Sequence, residues 1–399
     1  MNLLLVAFFL YLFAAIAFIV SITGQKWRSK GTDVGKRLGT VGIVLTLLAL
    51  LCHASFIVYR IFVGGFFPTS NMFEFMSFLG FCIAVAFVLI YKLYKVRVIG
   101  AFALPLVLVL IGYASVFPTE IKPLVPSLQS SWLYIHVTLV ALGNGAFGVA
   151  FVAGLIYLIR TVDRKTQRAS AFFLEAILAM VIMVIAFVGL SFAFEGLVGY
   201  EASYEHTVVD ANTQKERVVV DRYDLPPIFI QKDAKAIETQ PFLGMEMGWI
   251  ETSFLNARKL NSLVWSIAVG LLLYGLIRLI ARKPLGEALK KGLVKGIDAE
   301  TAEEISYRAI AIGYPIFILG GLIFASIWAH YAWGRFWGWD PKEVWALITF
   351  LFYSLYLHLR LSRGWHGKKS AWFAVAGFVV VMFNLVVVNL VIAGLHSYA

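Results

Sequence analysis

Apolar residues in this chain come in runs of about 20, each closed by a short polar gap. Ten runs stand out, at 2–22, 39–62, 72–92, 98–116, 132–159, 171–194, 262–280, 309–330, 344–362 and 371–395. Each is long enough to cross the hydrocarbon core of a bilayer as a helix, the form in which one crossing satisfies its own backbone hydrogen bonds. The strands of a membrane barrel are about half as long and alternate in polarity. The pattern therefore predicts an all-α polytopic membrane protein of ten transmembrane helices.

The gaps alternate in charge. One set holds Lys26, Arg28, Lys30, Lys36, Arg37; then Lys92, Lys95, Arg97; then Arg160, Arg164, Lys165, Arg168; then the run from Arg278 to Arg308; then Arg360, Arg363, Lys368, Lys369. That is most of the 34 Lys and Arg. The short gaps of the other set hold only Arg60, Lys122, Arg335 and Lys342. The positive-inside rule puts the first set in the cytoplasm and both termini on the outer face of the plasma membrane. The first run has no basic residue before it and no small-residue cleavage site after it, so it reads as a retained helix.

Composition adds two exclusions. The chain is 60% hydrophobic, with a mean hydropathy of +0.83, outside the soluble range. Its net charge of +11 sits in the gaps, where it signals orientation and not a nucleic-acid partner. The two cysteines, Cys52 and Cys82, lie inside apolar runs with no C-x-x-C, which argues against a thiol relay or a cysteine metal site.

Two segments lie outside the runs. Residues 284–308 read as a cytoplasmic amphipathic linker, with Pro284 suited to a helix start. Residues 195–261 form the one large outer segment. Within it, 206–220 reads as a polar hairpin turning near Asn212, and Pro226–Pro227 should break any further strand. The expected divisions are N-terminal helices over 1–131, a helix pair over 132–194, the insertion 195–261, a helix and linker over 262–308, and a core over 309–399.

The richest chemistry is in WGRFWGWDPKE, 333–343. Trp333, Trp337 and Trp339 stand at an outer membrane face, followed at once by Asp340 and Pro341. An interfacial aromatic belt is the plain reading. A belt scatters its aromatics, however, whereas this spacing suits a flat platform for a flat ligand. Asp340 before Pro341 also suits a helix N-cap. His136, at the outer end of the fifth span, and His396, at the outer end of the last, reach the same face. The plain alternative for each is a histidine facing water.

The stretch 333–343 resembles the WWD signature of heme-handling proteins of cytochrome c maturation. Residues 306–360, the tail FNLVVVNLVIAGLHSYA (383–399), FPTSNMFEF (67–75) and WLYIHV (132–137) extend the resemblance to the CcsA/ResC family. Two spans and the insertion between WLYIHV and SYRAIAIGYP are extra to the compact family pattern.

The resemblance implies a subunit of a cytochrome c synthase, a heme lyase. It would bind or translocate heme b non-covalently and present it outside to the C-x-x-C-H of apocytochrome c, with a ResB/CcsB-like membrane subunit as partner. It implies His136 and His396 as external axial ligands of heme iron, with Trp333, Trp337, Trp339 and Asp340 at the ring. Lys342 or Arg335 could meet the propionates. His358, in YLHLR, matches the embedded family histidine, about 21 Å below the outer surface at 1.5 Å per residue. His53, about 14 Å below that surface, is open between a structural role and a second ligand facing His358; the family's second embedded ligand is usually the partner's. His330 reads as polar packing beside Trp333, and His206 and His366 as solvated. The role of Glu74 is not legible.

Three other readings compete, one of them a purely structural assembly subunit that binds no heme. A heme-delivery protein of the other bacterial maturation route also carries a WWD loop but makes no thioether. A secondary transporter with an aromatic gate should show inverted repeats with paired broken helices, and none is visible.

Overall fold

In the computed structural model, which describes residues 2–24, 34–209, 216–243, 248–252 and 257–388, ten helices among the described residues are long and apolar enough to span a membrane. They fall where the apolar runs predict. The chain divides into two compact units, Met1–Leu174 with Gly286–Ala399, and Glu175–Leu285.

The first unit holds α1 (Asn2–Thr23), α2 (Val34–Gly64), α3 (Met72–Tyr94), α4 (Arg97–Ala114), α5 (Ser131–Thr161) and the start of α6 (Arg168–Ser191). After the second unit it resumes with α8 (Leu285–Gly292), α9 (Ala299–Ile318), α10 (Ala325–Trp333), α11 (Pro341–Arg363) and α12 (Lys368–Phe383). Helix α5 is its centre: 83% of its most apolar stretch is buried, and it packs on α3, α9 and α12. Small residues allow that approach, as is usual between helices in lipid. A Cβ on Gly143 would meet the Phe317 backbone at 3.0 Å, and one on Gly313 the Gly143 carbonyl at 3.0 Å. Helices α1 and α2 pair and leave Leu5, Phe9, Phe13, Leu47 and Leu51 exposed, a surface suited to lipid.

The eighth span starts earlier than the apolar run. Asp298 caps α9 by accepting from the Thr301 N–H at 2.7 Å, so Ala299–Arg308 is helix and not linker. As expected, a short helix, α8, follows Pro284. Helix α9 passes into α10 through a π turn, Leu319–Phe324.

The second unit carries most of α6, α7 (Ala257–Ala281) and the insertion between them. Strands β1 (Ala202–Val209) and β2 (Glu216–Tyr223) form the expected antiparallel hairpin, from Ala202↔Tyr223 to Val209↔Glu216. Asn212, the expected turn, lies outside the described residues. The proline pair does not end strand formation. After it come β3 (Phe229–Gln231), β4 (Lys235–Glu238) and β5 (Ile250–Thr252). Strand β4 adds to β1 in the order β2-β1-β4, and β3 pairs with β5 in parallel. The prolines turn the chain, and α7 holds the turn. Asn261 accepts from the Ile228 N–H at 2.8 Å, and the Trp265 indole donates to the Pro226 carbonyl at 2.8 Å. Tyr200, Tyr204, Tyr223 and Ile230 form the small core. His206 is not solvated: its side chain is 10% exposed, with Nδ1 3.5 Å from an Asp221 oxygen.

Candidate functional site

The tryptophan loop is built by two helix ends. Helix α10 stops at Gly334, whose φ of +71° closes the left-handed cap, with its N–H on the His330 carbonyl at 2.9 Å. Helix α11 starts at Asp340, whose side chain accepts from the Lys342 N–H at 3.2 Å. Glu343 answers from within the first turn, accepting from the N–H groups of Gly338 (2.7 Å) and Asp340 (3.1 Å). This capping box, with Pro341 in the first turn, fixes the loop from below. Trp339 is held at φ +57° with 70% of its surface exposed, edge-on to Trp337 at 5.8 Å.

His136 projects from the loop end of α5. Its Nδ1 lies 2.9 Å from the Gly320 carbonyl. A carbonyl only accepts, so Nδ1 carries the proton, and in the neutral ring Nε2 carries the lone pair. Gly320 belongs to the π turn, a wide turn that recurs at functional sites. It lies against α5, where a Cβ would meet the Val140 nitrogen at 2.7 Å. The imidazole is nearly parallel to the Trp328 indole, with centroids 5.8 Å apart and 13° between planes. Trp328 is buried, donates to the Leu128 carbonyl at 3.0 Å and meets Trp333 edge-on at 4.9 Å.

A cavity of about 200 Å³ opens beside these residues. His136, Trp328, Phe336, Trp337 and Lys342 line it, and so does Asn144, which is buried deeper on α5. Among the described residues, nothing hydrogen-bonds the Asn144 amide oxygen. Another part of the cavity rim, Ser70–Met72, is anchored by a buried ion pair. Arg60 binds Glu74 through Nε (3.0 Å) and Nη2 (2.6 Å) and donates to the Thr119 carbonyl. Glu74 also accepts from the Ser70 N–H at 2.8 Å. The FPTSNMFEF carboxylate is thus a loop anchor.

The residues singled out from sequence divide accordingly. His136 and Trp337 line one cavity, Trp333 packs behind it on Trp328, and Trp339 stands exposed. Asp340 is buried as the helix cap. His396 lies outside the described residues. His358 sits on the exposed side of α11, in its last third. His53 is buried elsewhere, bonded to Ser77 at 3.1 Å among Tyr11, Phe56 and Phe81 of α1 to α3. The structure therefore does not join His53 to His358. His330 packs on Phe336, ring on ring at 4.3 Å. His366 is 62% exposed, with Nδ1 3.5 Å from a Glu303 oxygen. Trp328, Gly320 and Asn144 had no sequence signal beyond their place in apolar runs.

The sequence matches the family described as cytochrome c assembly protein over residues 69–199 and 262–396. Both spans flanking the insertion fall inside that match, so they are not additions to the family pattern; within the matched ends only 200–261 falls outside. The chain is 30% identical over 365 residues to the cytochrome c biogenesis protein CcsA of Nostoc punctiforme, covering 90% of this chain and 88% of that one. It is 28% identical over 389 residues to the protein of the same name from Gloeobacter violaceus, covering 96% and 94%. That from Picosynechococcus is 30% identical over 366 residues, covering 90% and 87%.

Proposed function

The chain belongs to the cytochrome c assembly protein family, with a role in cytochrome c maturation, and from that premise we propose that it holds heme for attachment to apocytochrome c. Heme is here a substrate. The observation that carries the reading is the His136 ring, turned by the Gly320 carbonyl so that its metal-binding nitrogen is Nε2, beside an aromatic cavity. A histidine whose other nitrogen donates to a carbonyl is the usual form of a metal-ligating imidazole.

The fit is partial, which suits presentation. A cavity near 200 Å³ is below the roughly 300–1,000 Å³ of an enclosing ligand pocket. A porphyrin would enter by one edge and leave the other outside, against the exposed Phe336 and Trp339. Lys342 and Arg335 are the cations at hand for propionates. His396 supplies the second external ligand.

The chemistry asked of the protein is positioning. Each cysteine thiol of the apocytochrome adds across a heme vinyl group; sulfur bonds one vinyl carbon and the thiol hydrogen goes to the other, with no net redox change. The histidine of C-x-x-C-H then replaces His136 or His396. His358 forms an embedded site with a ResB-like subunit: an exposed imidazole on a membrane helix is costly facing lipid and is satisfied by a partner. The loop end faces outward from the plasma membrane.

The test is the visible spectrum of the detergent-purified chain co-expressed with its partner, beside cytochrome maturation in cells. A low-spin b-type spectrum should weaken in His136→Ala, His396→Ala and His358→Ala, and maturation should fall at least tenfold in the first. Heme-free preparations throughout, with maturation untouched by all three variants, would sink the proposal.

A further inference from the structure

We infer that Trp328 is a positioning residue that, with Gly320, sets the rotation of the His136 ring, and that it does not cover the heme face. The inference rests on the reading that His136 ligates heme iron. A neutral imidazole binds a metal through a lone pair lying in its own plane. An axial imidazole therefore stands perpendicular to the porphyrin it ligates. Trp328 lies 13° from the plane of His136, so its indole is also close to perpendicular to that porphyrin. It cannot stack on the ring, although it lines the cavity.

What the indole can do is fix the imidazole. Trp328 is 2% exposed, so it has no room to turn. Its N–H is tied to the Leu128 carbonyl at 3.0 Å, and Trp333 closes one side. The flat face of the indole limits rotation of His136 about its Cβ–Cγ bond. The Gly320 carbonyl holds Nδ1 at 2.9 Å and limits the same rotation from another element. The π turn brings that carbonyl to α5, and the missing Cβ of Gly320 permits the approach. The heme-covering surface is then left to Phe336, Trp337 and Trp339, on the loop itself.

Orientation of an axial imidazole has a spectroscopic signature: the anisotropy of the low-spin ferric EPR spectrum follows the angle between the two axial ring planes. The full chain, purified with its partner subunit, would be compared with Trp328→Phe, Trp328→Ala, Gly320→Ala and His136→Ala. Trp328→Phe keeps a flat apolar ring but loses the bond to Leu128, so it guards against misfolding. We expect both Trp328 variants to shift the EPR spectrum, Trp328→Ala more, and Trp328→Ala to lose heme about 10-fold faster, in the range for residues that orient a metal ligand. Trp328→Phe should restore part of that retention. Wild-type EPR and retention in both Trp328 variants, with His136→Ala losing the external site's share of the signal, would overturn this inference alone. A wild-type signal in His136→Ala would overturn it together with the ligand assignment beneath it.

Discussion

Trp339 is the residue whose local cost most needs a reason. It sits at φ +57°, where a side chain costs on the order of 1 kcal/mol, and its ring faces outward. Trp339→Gly relieves the backbone and removes the exposed ring. Thermal unfolding in detergent should shift by no more than about 1 kcal/mol, toward stability, while cytochrome maturation falls. A parallel loss of stability and maturation would instead mark the indole as packing. At this scale the sequence was legible where spacing is unusual: the W-G-x-x-W-x-W-D run, the Asp340–Pro341 start and the histidine at the head of α5. Trp328 was not legible. Its role comes from a ring plane and a neighbour in α5, and one tryptophan in an apolar run reads the same whether it clamps a ligand or meets lipid.

Among elements, the spans followed directly from run length, because a bilayer crossing leaves the backbone no other way to bond. Their partners did not. Nothing in the pattern joins Arg60 on α2 to Glu74 on α3, since each alone reads as an end-of-helix charge. Buried together, they tie α2 and α3 to the Ser70 and Thr119 loops, and so hold the cavity rim. Removing one member leaves the other uncompensated. Arg60→Met should cost about 3–5 kcal/mol, seen as a lower unfolding midpoint in detergent. The double variant Arg60→Met/Glu74→Met should cost clearly less than the two single changes summed. Additive costs would show that the carboxylate and guanidinium act separately. The strands after Pro226–Pro227 were missed for a related reason. Proline rules say where a strand stops, but here Asn261 and Trp265 hold the turn, and a new strand starts two residues after Pro227.

For the whole molecule, charge bears on which way the first unit faces. At one end, the connections from α3 to α4 and α5 to α6 carry Lys95, Arg164 and Lys165, and the facing ends of α11 and α12 carry Arg360, Arg363, Lys368 and Lys369. The tryptophan-loop end carries only Arg60, Lys122, Arg335 and Lys342 in its short connections, far fewer than the other end. The positive-inside bias therefore supports the proposal that the loop end faces outward. Two exposed positions in this unit report on it: Ser127, between α4 and α5, and Thr166, between α5 and α6. Both native cysteines lie within membrane helices, so single introduced cysteines can be read above that background. Ser127→Cys should react in intact cells with a membrane-impermeant maleimide. Thr166→Cys should react only after the membrane is opened. The reverse result would put His136 and its cavity on the cytoplasmic side. Heme held there could not meet an apocytochrome outside, so the presentation reading would fall even with every ligand correctly assigned.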